Sequence, residues 1–274
     1  MLKITALTLF CLPNSIRQCE TIRVDIRKTI LYEGGWLCYS FSHISPIIYG
    51  IQIDENRIDE VLFNMKFENV YFITGTAYAG KSTMVKALAN KYDGIACEEN
   101  YHDTLIADLD STEFPSLTYT RDLVNWSDFI RRTPDEYESW VNGCTRECTI
   151  LELKILEEVS RCGKKVFVDT NIPIEVLWDI SDIDHVLIML ANPDISINRF
   201  FNRPDKEKQF LYQLLLKEEN PDEALDNFKE CLKRINSKKN YNNFLNSGFH
   251  VILRDESRTI EESLSLAEKV FRLR

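Results

Sequence analysis

The residues with the most explicit chemistry lie in the segment "GTAYAGKST", which runs from Gly75 to Thr83. Gly75, Gly80, Lys81 and Ser82 fit the spacing G-x-x-x-x-G-K-[ST], and each residue type has a physical reason. Glycines let backbone N–H groups converge on phosphate oxygens, and a helix starting near Lys81 adds its positive end. The whole stretch Gly75, Thr76, Ala77, Tyr78, Ala79, Gly80, Lys81, Ser82 and Thr83 would wrap a triphosphate. Lys81 would reach the β- and γ-phosphates, and the Ser82 hydroxyl would sit on Mg²⁺.

Further candidates follow along the chain. Asp169 closes the apolar run "KKVFVDT", where a strand-end aspartate can order a magnesium shell, or can simply begin a turn. The next residue is Thr170, and the absence of a glutamate there argues against a dedicated hydrolase. "ACEENYHD" supplies Glu98, Glu99 and Asp103 at the end of another strand. One of the two glutamates could orient an acceptor hydroxyl or take its proton, and the sequence leaves open which. Arg199 and Arg203 stand four apart, on one helix face, just after a fourth strand. That placement aims them at a nucleotide. Arg121, Arg131 and Arg132 lie where an acceptor could be bound, or are surface arginines. "NKYD" at Asn90 to Asp93 mimics a guanine-reading motif but falls too close behind the glycine loop to reach a base.

These residues need elements to hold them. Five apolar runs, "VYFITG", "GIACEE", "KKVFVDT", "DHVLIML" and "FHVILRD", alternate with helical patterns from Asn69 onward. That rhythm predicts an α/β domain with a parallel sheet covered on both faces. The longest helix opens with Thr133 as N-cap, Pro134 at its first position and Glu136 completing a capping box. Its stripe of Tyr137, Trp140, Val141, Cys144, Cys148, Leu151, Ile155 and Val159 predicts burial, and Gly163 predicts its end. Residues 1–66 read differently. Alternating runs around Gly34-Gly35 predict a β-hairpin, followed by a short helix from Asp54 to Met65. The opening "MLKITALTLFCLPNS" has a basic residue before an apolar run but no small-x-small cleavage site, and reads better as a strand than as a leader. The expected organisation is thus a small, mainly β extension over 1–66 and a nucleotide-binding domain over 67–274.

Composition narrows the partners. The chain has 274 residues, 44% of them hydrophobic and 28% charged, as in soluble globular proteins. A net charge of -10 makes nucleic acid and anionic membrane poor partners. No apolar run approaches membrane-spanning length. The 8 cysteines and 4 histidines show no zinc-ligand spacing. Unpaired thiols suit a reducing cytoplasm. Oligomeric state is not legible.

"DHVLIMLANPDISINRFFNRPD" resembles the segment of adenylate kinases and related nucleoside monophosphate kinases that enters the lid. "VFVDTNIP" is similar to their Asp-Gly-Phe-Pro strand end. With the glycine loop, the resemblance spans roughly Asn69 to Arg274. It implies a P-loop three-layer sandwich with strand order 2-3-1-4-5. It also implies Arg199 near the adenine or ribose, Arg203 on the phosphates, and more loosely a further charge from Lys217. Thr170-Asn171 and Ile174 depart from the family pattern, which puts AMP in doubt as acceptor. Shikimate- and gluconate-type kinases of the same superfamily place an acid after the second strand, as "CEEN" does here. The expected function is ATP- and Mg²⁺-dependent phosphoryl transfer to a small-molecule acceptor. The alternative is a nucleotide-binding regulatory or scaffold protein without acceptor-dependent turnover.

Overall fold

A computed structural model of the chain describes residues 66–202 and 206–273. The expected hairpin, the helix from Asp54 to Met65 and Arg203 lie outside the described residues. Each apolar run forms a strand where the sequence places it: β1 Val70–Gly75, β2 Ile95–Cys97, β3 Val166–Asp169, β4 Val186–Leu190 and β5 His250–Leu253. They form one five-stranded sheet in the order β2-β3-β1-β4-β5, with every pairing parallel. β1 is central, and all six of its residues are buried. That is why it reads as an unbroken apolar run rather than an alternating one.

The connections are helical. α1 (Lys81–Lys91) follows β1, and a 3₁₀ turn (Asp103–Asp108), α2 (Pro115–Asp122), α3 (Ser127–Ile130) and α4 (Pro134–Ser160) join β2 to β3. α5 (Ile174–Ile180) precedes β4. Then come α6 (Pro193–Arg199), α7 (Lys206–Leu215), α8 (Pro221–Ile235) and α9 (Lys238–Leu245) before β5, and α10 (Ile260–Val270) follows it.

Alternate strand residues feed opposite layers. Val70, Phe72, Val166, Val168, Val186 and Ile188 pack with α4, α5 and α9. Tyr71, Ile73, Phe167, Leu187 and Met189 pack with α1 and α10. A third core lies beyond the strand ends, where α2, α3 and the first half of α4 meet α7 and α8 around Phe129, Tyr137 and Phe228. α4 therefore serves two cores, which its 27 residues allow. Its capping box is present, with Thr133 N–H donating to Glu136 Oε2 at 2.8 Å and Glu136 N–H to Thr133 Oγ1 at 3.3 Å. The whole expected stripe is buried. Each large apolar side chain in it contributes about 1.5–3 kcal/mol relative to exposure. The helix ends at Ser160, and Gly163 turns the chain away with φ +73°.

Candidate functional site

The loop between β1 and α1 departs from ordinary backbone at three residues, with φ +127° at Gly75, +64° at Tyr78 and +95° at Gly80. Gly75 is required by a close approach, since a Cβ there would lie 2.0 Å from the Met189 carbonyl oxygen. Gly80 is the N-cap of α1, with no side-chain cap and no acid in the first turn. The free N–H groups of that turn and the helix dipole point into the loop, which suits an anion. The Thr76 hydroxyl pins the loop to β4 by donating to Ala191 O at 3.2 Å and accepting from Ala191 N–H at 2.6 Å. Arg254, just after β5, donates through Nη1 to the Tyr78 carbonyl.

Lys81 is buried at 4% exposure, with Nζ 3.4 Å from Thr76 O and 3.7 Å from Asp169 Oδ1. Ser82 Oγ donates to Asp169 Oδ2 at 2.8 Å. The pairing of β1 with β3 sets this geometry, because Ile73 lies opposite Asp169 in the register. Burial raises the Asp169 pKa, and the nearby Lys81 charge and Ser82 hydrogen bond only partly offset it. A serine hydroxyl and a carboxylate side by side are the oxygen ligands that Mg²⁺ takes, with water and phosphate completing its octahedron. These two residues therefore fit that ion.

The two glutamates are separated by direction. Glu98 turns back onto α1 and pairs with Lys86 at 2.9 Å. Glu99 is the inward one. Burial holds its carboxyl well above the usual range, Lys81 and Lys208 pull it down, and Asp169 and Asp103 push it up. Lys208 comes from α7 and is 1% exposed. Its Nζ stands 5.8 Å from the Tyr78 ring centroid and 5.3 Å from that of Phe200. It sits where Lys217 was expected to contribute; Lys217 itself is exposed beyond the end of α7.

The remaining arginines divide similarly. Arg199 is exposed in the last turn of α6. Arg121 donates to the carbonyls of Ile106 and Leu109 at 2.7 and 2.8 Å, so it caps the 3₁₀ turn. Arg131 pairs with Glu218 at 2.6 Å, and the Arg132 guanidinium lies 4.1 Å from the Tyr119 ring centroid. In "NKYD", Lys91 and Tyr92 both bind Glu268, so it is a contact between α1 and α10.

A buried network that the sequence reading missed ties the turn after β2 to the end of β3. Glu152, fully buried on α4, accepts from Thr170 Oγ1 at 2.7 Å and pairs with His102 Nδ1 at 3.1 Å. Thr170 Oγ1 in turn accepts from Ile172 N–H at 3.1 Å. Burial pulls the His102 pKa down, but the hydrogen bond and charge of Glu152, with Asp103, outweigh it and leave it raised. Possible ligand atoms of His102, Cys148 and Glu152 lie within 4.8 Å of one another. A metal there would need the Cys148 thiolate, and burial and Glu152 both hold that thiol well above its usual pKa. With both Glu152 oxygens engaged, the group reads as a hydrogen-bond network. Its signal was Glu152 itself, a carboxylate four residues after Cys148 and so on the buried stripe. Lys208 left the same kind of mark, aligned with buried Leu211 and Leu215 at i, i+3 and i+7.

The fold and loop together define a parallel α/β sandwich consistent with the P-loop architecture. The chain matches no protein-family model, and no curated protein or solved structure matches it either. Among the described residues, no helix is long and apolar enough to cross a membrane. The described cysteines, Cys97, Cys144, Cys148, Cys162 and Cys231, form no disulfide.

Proposed function

We propose that the protein is a kinase that transfers a phosphoryl group from Mg-ATP to the hydroxyl of a small molecule. The observation that carries this reading is the Ser82–Asp169 contact of 2.8 Å beside buried Lys81, at a helix N-terminus without a side-chain cap. Phosphoryl transfer needs positioning and charge neutralisation more than covalent chemistry, and these groups supply both. Lys81 and Lys208 would face the phosphate oxygens, with Arg199 and Arg203 completing the charge around them. Ser82 and Asp169 would hold Mg²⁺, which when bound neutralises charge on the transferring group. Glu99 would orient the acceptor hydroxyl and take its proton. A carboxylate with a raised pKa suits a general base, because proton transfer is most effective when the base's pKa approaches the working pH. The acidic balance of the chain disfavours nucleic acid as acceptor.

The test is ADP release with Mg-ATP against a panel of nucleosides, nucleotides, sugars and small alcohols. Release that depends on an acceptor, and vanishes in Lys81→Ala, is the expected result. Tight ATP binding without acceptor-dependent release across the panel would move the protein to the regulatory or scaffold class. Binding is read separately. ATP at a hundred times its Kd should stabilise the fold by about 2.7 kcal/mol. Lys81→Ala should lose most of that.

A further inference from the structure

A cleft of about 220 Å³ opens at the carboxyl end of β1, on the side of the sheet facing α4 and α9. It is bounded by Thr74 and Thr76 of β1 and the glycine loop, by Asn171 to Glu175 after β3, and by Asn236 to Phe244 at the α8–α9 turn. Two properties of its wall define what could enter. First, among the described residues its lining contains no lysine or arginine, and the one acid among them is Glu175, exposed at the rim. A phosphorylated or carboxylated ligand would lack the charged partner such groups take when bound. Second, the wall is rich in neutral hydrogen-bonding groups set against aliphatic and aromatic surface. Asn171 Nδ2 is buried there without a hydrogen-bond partner. A ligand oxygen would reach that donor only after the side chain turns toward the open space, and would then satisfy an amide that is otherwise left unbonded. The same wall offers Ile172, Tyr241 and Phe244 as apolar surface.

We infer that this cleft is the acceptor pocket and that the acceptor is an uncharged, hydroxyl-bearing compound of about monosaccharide size. The inference rests on the kinase reading for the word acceptor, and on the cleft alone for the class of ligand. Size supports it. The volume equals about seven waters at ~30 Å³ each. It falls below the roughly 300–1,000 Å³ of sites that enclose drug-sized ligands. Such a compound presents hydroxyl edges to the asparagines and a C–H face to the rings. Position bears on it as well. Asn171 lies two residues beyond Asp169, and Thr76 belongs to the glycine loop, so the cleft borders two of the segments that carry the proposed site of transfer, while Lys81, Ser82 and Glu99 lie outside its lining.

The experiment measures binding and transfer separately. Saturation-transfer NMR on the full chain with Mg-ADP would survey ribose, glucose, galactose and myo-inositol. Ribose 5-phosphate, glucose 6-phosphate, gluconate and shikimate are the charged counterparts. At least one neutral probe should bind. Asn171→Leu should weaken that binding by tenfold or more with the Kd for ADP unchanged. Asn243→Trp, from an exposed rim position, should obstruct the same probe without touching the core. Preference for the charged probes, no binding by any neutral probe, or binding insensitive to both substitutions would each overturn the assignment. Phosphoryl transfer with Mg-ATP is then assayed on the same probes. Neutral binding lost in both variants but without transfer keeps the pocket and removes the kinase reading. Transfer that ignores both substitutions keeps the kinase and removes the pocket.

Discussion

The two glycines of the loop are alike in sequence, yet the structure gives them unequal roles, which a pair of alanine substitutions should separate. In Gly75→Ala the new Cβ would stand 2.0 Å from the Met189 carbonyl oxygen and 2.9 Å from the Met189 carbonyl carbon and amide nitrogen. Backbone cannot yield as a flexible side chain does. Met189 is held in β4 between β1 and β5, opposite Gly75 on one side and Ile252 on the other. Its carbonyl also accepts the Thr76 N–H at 3.0 Å. Relief therefore displaces a central strand or breaks that hydrogen bond. Overpacking of this kind costs about 1–3 kcal/mol, an unmade buried hydrogen bond about 1–3, and φ near +127° for alanine about 1–3 more. Together these are on the order of 5 kcal/mol, a large part of the roughly 5–15 kcal/mol that holds a domain together. In Gly80→Ala the nearest atom is Met189 Cε at 3.9 Å, so only the strain of φ +95° applies, about 1–2 kcal/mol. Urea unfolding of the two variants against the parent measures both costs. Gly75→Ala should unfold at a far lower midpoint or fail to fold, while Gly80→Ala stays folded and loses ATP affinity through a reshaped loop. A Gly75→Ala protein within about 1 kcal/mol of the parent would refute the packing argument.

Three further outcomes follow from the buried charges. The Glu99 pKa lies above its unfolded value, so the native state holds more protons and stability falls as pH rises from about 4.5 through the folded value. Glu99→Gln should remove that slope and make the nucleotide-free protein more stable at pH 7 while lowering kcat, and urea midpoints across pH 4.5–8 that match the parent would contradict it. Glu152→Ala leaves His102 and Thr170 without their shared acceptor and should cost about 3–5 kcal/mol, with Glu152→Gln milder, both read by urea unfolding. Lys208→Met keeps the bulk among Tyr78 and Phe200 but removes a cation that offsets the Glu99 charge, so it should lower the melting temperature and reduce kcat at least tenfold; unchanged turnover would place Lys208 outside the machinery.

Much of the scaffold was legible because burial on both faces leaves no room for alternation. "VYFITG" and "DHVLIML" read as strands for that reason, and β1 and β4 are buried along their whole length. The capping box at Thr133 was legible because it is chemistry within four residues. Lys81, Ser82 and Asp169, proposed for the donor side, were legible because the motif and the strand end carry them, and the sheet brings them together. Glu98 and Glu99 could not be told apart, because β2 is only three residues long and the chain turns through Asn100 at φ +58° directly after it. Which carboxylate points inward is then decided by packing rather than by alternation. Arg121 shows the opposite limit. An arginine fork serves a phosphate and a pair of backbone carbonyls equally well, and only the fold reveals that Ile106 and Leu109 take it.

The absent glutamate after Asp169 acquires a physical meaning from α4. At that position Thr170 is fully buried, and its hydroxyl is committed to Glu152 rather than to the solvent side of the loop. A carboxylate thus exists near the strand end, but it arrives from a helix and is held by two partners, so it cannot polarise water as a hydrolase's glutamate does. What it can do is fix distances. One oxygen of Glu152 reaches the β3 end that carries Asp169, and the other reaches His102 in the turn that carries Glu99. The two acids proposed for metal and acceptor are thereby referred to a single side chain on the longest helix. Because α4 is packed into both the sheet core and the outer core, that reference is rigid. Groups that must meet a reacting centre to within a fraction of an ångström are best mounted in this way.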